Sequence, residues 1–154
     1  MSKWAVLSFL VVPLEGDRTG VLCVTPILNG TPLTDLIASF EREHNFMPAG
    51  GYAGLVPTRY SFGPLNLYFL PESNDESLEA AEHYFLGCTC GEVGCWPLVG
   101  RIATVADGIV WDRFRQPHRP GRDYSGFGPF KFESQQYRSV LDEIASQFSD
   151  AERL

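Results

Sequence analysis

The Asp107-Gly108 step, set between two apolar runs, narrows what this chain can fold into more than any other feature. Trp96 to Val105 (WPLVGRIATV) and Ile109 to Arg115 (IVWDRFR) both have the β-branched and aromatic content of strands. Asp-Gly accepts the positive backbone torsions of a tight two-strand turn. The expectation is a hairpin joined through Ala106-Asp107-Gly108, and so an antiparallel sheet. Alternation along the two runs is imperfect and assigns no faces. The N-terminus repeats the pattern. Trp4 to Leu14 reads as a fully buried strand, Gly16 to Gly20 as a turn, and Val21 to Leu28 as its antiparallel partner.

Two segments carry helical spacing. Thr31 is placed to cap the first, with Pro32 at the first helical position, where its missing N–H costs nothing. Leu33, Leu36, Ile37 and Phe40 form its apolar stripe, and it should end near His44. Ser134 is placed to cap the second, and Tyr137, Val140, Leu141, Ile144 and Phe148 share one face. Between them, residues 45–66 read as an irregular loop anchored by Tyr52, Leu55, Tyr60 and Phe62. Leu67 to Leu70 reads as a short strand, and Glu76 to Phe85 as a weak helix with an acidic face. The predicted fold is therefore α+β. One domain spans residues 1–154, an antiparallel sheet with a short N-terminal helix and a longer C-terminal helix packed on it.

The charge balance limits function. A net charge of −7 disfavours broad nucleic-acid or anionic-membrane binding. No apolar run reaches membrane-spanning length. Pro13, Glu15, Gly16 and Asp17 follow the N-terminal apolar run without a small-x-small cleavage pattern, so it reads as a strand rather than a signal peptide. The expected compartment is the cytoplasm, with the cysteines reduced or metal-bound.

Chemical potential concentrates in Gly87-Cys88-Thr89-Cys90-Gly91-Glu92-Val93-Gly94-Cys95-Trp96-Pro97-Leu98. Cys88, Cys90 and Cys95 are soft ligands within eight residues, and the glycines let the backbone fold back so that the sulfurs can converge. Zinc takes four such ligands, and His118, His83 or Cys23 could complete the set. The C-x-C-x4-C spacing is not the C-x2-C of common zinc motifs. Two other readings stay open: the thiols pack as small hydrophobes in the turn, or they serve disulfide and redox chemistry. A reactive cysteine with His118 or His83 as base is the enzymatic alternative. No common hydrolase, metalloprotease or phosphate-loop motif accompanies it.

A second cluster is the basic run Arg113, Arg115, His118, Arg119 and Arg122, interleaved with Trp111, Phe114, Tyr124 and Phe127. Arginine forks recognise carboxylate or phosphate, and rings stack on planar groups. Trp111, Arg115, His118, Arg119 and Tyr124 are the candidate binding residues, with His118 also a candidate metal ligand. His118 is expected to lie in a concave surface shared with Trp111 and Tyr124, near the cysteine turn. The competing reading pairs these arginines with Asp112, Asp123 and neighbouring acids. Glu72, Asp75, Glu76, Glu79 and Glu82 read as a solvated helix face.

The Gly87-to-Leu98 pattern, with Val110-Trp111, Gln116-Pro117-His118-Arg119, Tyr124-Ser125-Gly126-Phe127-Gly128-Pro129-Phe130 and Tyr137, resembles a family of uncharacterised bacterial proteins common in actinobacterial genomes. Leu28-Asn29-Gly30, Leu33, Asp35-Leu36 and Gly51-Tyr52-Ala53-Gly54-Leu55 extend the likeness over most of the chain. The resemblance implies a small bacterial cytosolic protein and carries no activity or site residues with it. A binding or interaction module, taking a protein partner or a small anionic ligand, fits these residues better than an enzyme.

Overall fold

The computed structural model describes residues 4–152. Its strands divide into two antiparallel sheets. The first contains β1 (Leu7–Pro13), β2 (Leu22–Leu28) and β3 (Thr31–Pro32), in that order. The second is a meander of β4 (Tyr52–Ala53), β5 (Glu82–Cys88), β6 (Leu98–Val105), β7 (Gly108–Arg115) and β8 (Phe130–Glu133). Helix α1 (Leu33–Glu43) packs on β2, β3 and β4. Helix α2 (Leu65–Tyr68) is a single turn, and α3 (Ser134–Glu152) is long. The α+β class, the short early helix and the C-terminal helix agree with the sequence reading.

The β6–β7 hairpin closes where Asp-Gly predicted. Val105 pairs with Gly108, and Asp107 has φ 59. The register opposes Arg101 to Asp112, and their side chains form a two-pronged ion pair at 2.8 Å on both arms. On β7 the fully buried Trp111 is the hub of the core. Phe85 and Phe132 lie 4.6 and 4.7 Å from its ring, centre to centre. Its indole N–H donates to the Tyr137 hydroxyl at 3.0 Å. Helix α3 thus lies against β1, β2, β7 and β8, with Tyr137, Leu141 and Ile144 buried.

Several expectations are corrected. Trp4 to Leu14 is not a fully buried strand: β1 alternates, with Leu7 and Phe9 inward and Val6, Leu10 and Val12 exposed, because it is the outer strand of a one-sided sheet. Thr31 does not cap α1. Asn29 and Gly30, at φ 52 and 85, turn the chain back, so Thr31 and Pro32 pair with Leu28 and Ile27. At α3 the cap is Glu133 rather than Ser134, its carboxylate accepting the N–H groups of Gln135 and Gln136. Leu67 to Leu70 falls on and just beyond α2, where Leu65, Tyr68 and Phe69 reach the core at helical spacing. Glu76 to Phe85 is not a helix. Asp75 captures the N–H and hydroxyl of Ser77, Ala81 takes φ 68, and strand β5 follows.

Candidate metal centre

The long connection of the β5–β6 hairpin carries the three cysteines. Cys88 closes β5. The Gly91 N–H donates to the Cys88 carbonyl at 2.9 Å, and the Cys95 N–H donates to the Glu92 carbonyl at 3.2 Å. Two tight turns in succession fold the loop onto itself, and buried Val93 anchors it to the core. Gly91 takes φ 94 and lies so close to Arg59 that a Cβ would collide with the guanidinium. That guanidinium ties Cys90 to the β1–β2 turn: it donates to the Cys90 carbonyl at 3.1 Å and pairs with Asp17.

The folded loop brings Cys88, Cys90 and Cys95 together, their sulfurs all within 4.8 Å of one another. Cys88 is half-buried, and Cys90 and Cys95 are exposed. All four cysteines of the chain are free thiols. Burial works against ionisation of Cys88. The Cys90 N–H, at 3.3 Å from its sulfur, and the thiols of Cys90 and Cys95 outweigh burial and hold its pKa below the ordinary thiol value. Hydrogen bonds to Cys90 and Cys88 push Cys95 up to about 11. This is how converging thiols behave when one holds the negative charge for the group. Three convergent sulfurs can hold a metal ion. A tetrahedral zinc with bonds of about 2.3 Å separates its sulfurs by roughly 3.8 Å, so small side-chain rotations suffice.

The candidate fourth ligands sit elsewhere. Cys23 is buried with Leu14 and Val56. His83 is fully buried, its ring nitrogens 3.1 Å from the Ser73 hydroxyl and 3.1 Å from the Ala81 carbonyl. His118 is outside the three-sulfur group but beside it. Its Nε2–H donates to the Gly94 carbonyl at 2.7 Å, and its ring lies nearly parallel to that of Trp96. It therefore touches both neighbours of Cys95.

The expected concave surface shared by His118, Trp111 and Tyr124 does not form. Trp111 and Tyr124 are buried, because the core takes their rings. Arg115 is held by Glu82 through two bonds at 2.7 and 2.8 Å. Of the five candidate binding residues only His118 and Arg119 reach the cysteine loop, His118 at Gly94 and Trp96 and Arg119 at Trp96. The Arg119 guanidinium lies 5.1 Å from that ring and Arg122 lies 5.7 Å from it. Of the acidic stretch, Glu72, Glu76 and Glu79 are solvated as expected, though not on a helix, whereas buried Asp75 accepts from Tyr60, Tyr68 and Ser77 and Glu82 is held by Arg115.

Sequence reasoning missed Glu41, which is fully buried at the floor of this region. Its signal was present: Leu33, Ile37, Phe40 and Glu41 follow the spacing of one buried helix face, and an acid on that face needs partners. Gln116 was also missed; buried, its amide donates to the Tyr52 hydroxyl at 3.0 Å. No protein-family model, no curated protein and no solved structure matches the chain.

Proposed function

We propose that this chain is a cytoplasmic binding module built around a zinc ion held by Cys88, Cys90 and Cys95, with the Trp96, His118 and Arg119 surface receiving an anionic group beside it. The observation that carries the reading is the convergence of three sulfurs within 4.8 Å on one short loop. A thiolate-only donor set selects zinc or another soft ion over magnesium or calcium. Four free thiols suit a reducing compartment. His118 is the proposed fourth ligand. Its contacts with Gly94 and Trp96, on either side of Cys95, support this. To bind, it would use Nδ1 or release the Gly94 carbonyl; an imidazole N–H on a backbone carbonyl is the usual way to orient a metal ligand. When bound, zinc would cross-link the loop and fix the Trp96 surface.

The experiment is metal analysis of protein purified under reducing conditions without chelator, followed by titration of the metal-free protein with Co²⁺. The expected result is one equivalent of metal and a thiolate-to-cobalt absorption band. Each of Cys88→Ser, Cys90→Ser and Cys95→Ser should weaken both, and His118→Ala should change the visible cobalt spectrum. Absence of bound metal together with a featureless cobalt titration overturns the reading.

A further inference from the structure

Three of the large apolar side chains exposed among the described residues share one face, Leu10 and Val12 on one strand and Val6 immediately before it. That strand, β1, is an outer strand of its sheet. Its even-numbered residues bond to β2: the Val6 carbonyl accepts from the Asn29 N–H at 2.9 Å, and past the strand the Leu14 N–H donates to Val21 at 2.7 Å. The odd-numbered residues therefore turn their N–H and C=O groups to the other side. Along that side the protein supplies its own partners only at the start. The Ala5 N–H donates to the Lys131 carbonyl at 2.6 Å. The Gln136 amide clasps Leu7, accepting its N–H at 3.3 Å and donating to its carbonyl at 2.9 Å. The N–H and C=O groups of Phe9 and Val11 then point to the open side of the sheet, with no partner strand among the described residues. Pro13, which has no N–H, ends the strand. No charged residue occurs from Trp4 to Leu14, although a charge is a common guard of a free edge.

We propose that β1 pairs antiparallel with β1 of a second copy, about a twofold axis at Leu10, joining two three-stranded sheets into one of six. In this register Phe9 stands opposite Val11 of the second copy, and each exchanges both backbone hydrogen bonds with the other. All the free groups of Phe9 and Val11 are then used. Leu7 falls opposite Pro13 of the second copy, so the ladder stops where Gln136 has already occupied one strand and proline has removed the donor from the other. On the exposed face Leu10 meets its own copy, and Val12 meets Ser8. The edge is complementary to itself under the twofold, the condition for a closed dimer. That self-complementarity favours a second copy over a foreign strand.

The test is sedimentation equilibrium of the full chain under reducing conditions, from low micromolar to millimolar, so that intermolecular disulfides through Cys90 or Cys95 cannot imitate the contact. Val11→Pro removes only the N–H facing the free side and leaves the ladder to β2 intact. Leu10→Lys sets two like charges across the axis without touching the core. The parent should reach twice the monomer mass as concentration rises, and both variants should stay at the monomer mass with the parent's circular dichroism. Amide exchange supplies the arm that needs no variant: the Phe9 and Val11 amides should be slowed in concentrated parent and fast in dilute parent. A parent at monomer mass throughout, a dimer that survives both substitutions, or Phe9 and Val11 exchange independent of concentration overturns the proposal.

Discussion

Arg122 donates to the Glu41 carboxylate at 3.1 Å while both side chains are almost sealed from solvent, at 7% and 0% exposed. The same carboxylate accepts the Gly50 N–H and the Tyr52 hydroxyl at 2.8 Å each, and the Tyr124 hydroxyl at 2.6 Å. Burial, and then the bond to Glu41, push the Tyr124 phenol up to about 12. The Arg122 guanidinium also lies over the Phe46 and Trp96 rings. One acid of α1 thus fixes the ground beneath Trp96 and, through it, the end of the cysteine loop. A buried pair is costly to break from one side, because the remaining charge has no partner. Arg122→Ala should therefore cost about 3–5 kcal/mol in urea denaturation. Replacing Arg122 and Glu41 together by Met and Leu should not recover that loss, because it leaves the Gly50 N–H and the Tyr52 and Tyr124 hydroxyls without their acceptor. An Arg122→Ala loss within error would mean that the carboxylate is hydrated.

Tyr137 joins α3 to the core through its hydroxyl, which accepts from the Trp111 indole at 3.0 Å and donates to the Phe69 carbonyl. Tyr137→Phe keeps the ring and leaves a buried donor and a buried acceptor unmatched. The expected destabilisation is about 1–3 kcal/mol. Ile144, fully buried on the same helix face, should cost about 2–5 kcal/mol as Ala. Thermal or denaturant unfolding of the two variants checks both values. Unchanged stability in both would place α3 outside the cooperative unit.

These residues show what sequence could and could not reveal. The β6–β7 hairpin and α3 were legible because their signals are local: Asp107-Gly108 for one, and the Tyr137–Leu141–Ile144 spacing for the other. Convergence of Cys88, Cys90 and Cys95 was legible from the glycines between them. Trp111, Arg115 and Tyr124 were misplaced because their fates depend on partners distant in sequence. Tyr137 and Phe85 draw Trp111 inward, Glu82 holds Arg115 from 33 residues away, and Glu41 holds Tyr124 from 83 away. Glu76 to Phe85 failed for the opposite reason. Its helical composition is overridden by the Asp75 turn and by pairing with β6.

The four thiols should separate cleanly by alkylation. Cys23 is buried with Leu14 and Val56, and burial raises its pKa, so it is both hidden and protonated. Iodoacetamide should modify no more than the three loop cysteines in native metal-free protein, and Cys23 only after unfolding. Mass mapping of the adducts checks this. Zn²⁺ should protect the loop cysteines and leave Cys23 unaffected, whereas native modification of Cys23 would mean that the β1–β2 sheet opens readily.

His83 should make the protein less stable as pH falls through the range where free histidine titrates. Its ring is fully buried beneath Ser73 and beside Tyr68. Burial depresses its pKa from 6.5, and the favourable contacts from Ala81, Asp75 and Ser73 do not restore it. The folded protein therefore holds the neutral ring while the unfolded chain takes up a proton. Stability rises with pH wherever the unfolded state binds more protons, so the neutral ring contributes fully above about pH 7.5 and progressively less below about pH 6.5. Asp75 runs parallel at the acid end: burial opposes ionisation, but the bonds from Ser77, Tyr68 and Tyr60 win and lower its pKa, so its contribution fades only as pH falls below the ordinary carboxylate range. A difference measurement isolates the histidine. Urea midpoints of the parent and of His83→Gln, taken from about pH 8 to about pH 5, should differ most at the alkaline end and converge as the pH drops. A difference that stays constant would mean that folding leaves the His83 pKa unchanged, and one that widens toward acid would mean that the folded state favours the imidazolium, with Ser73 and Ala81 accepting from it.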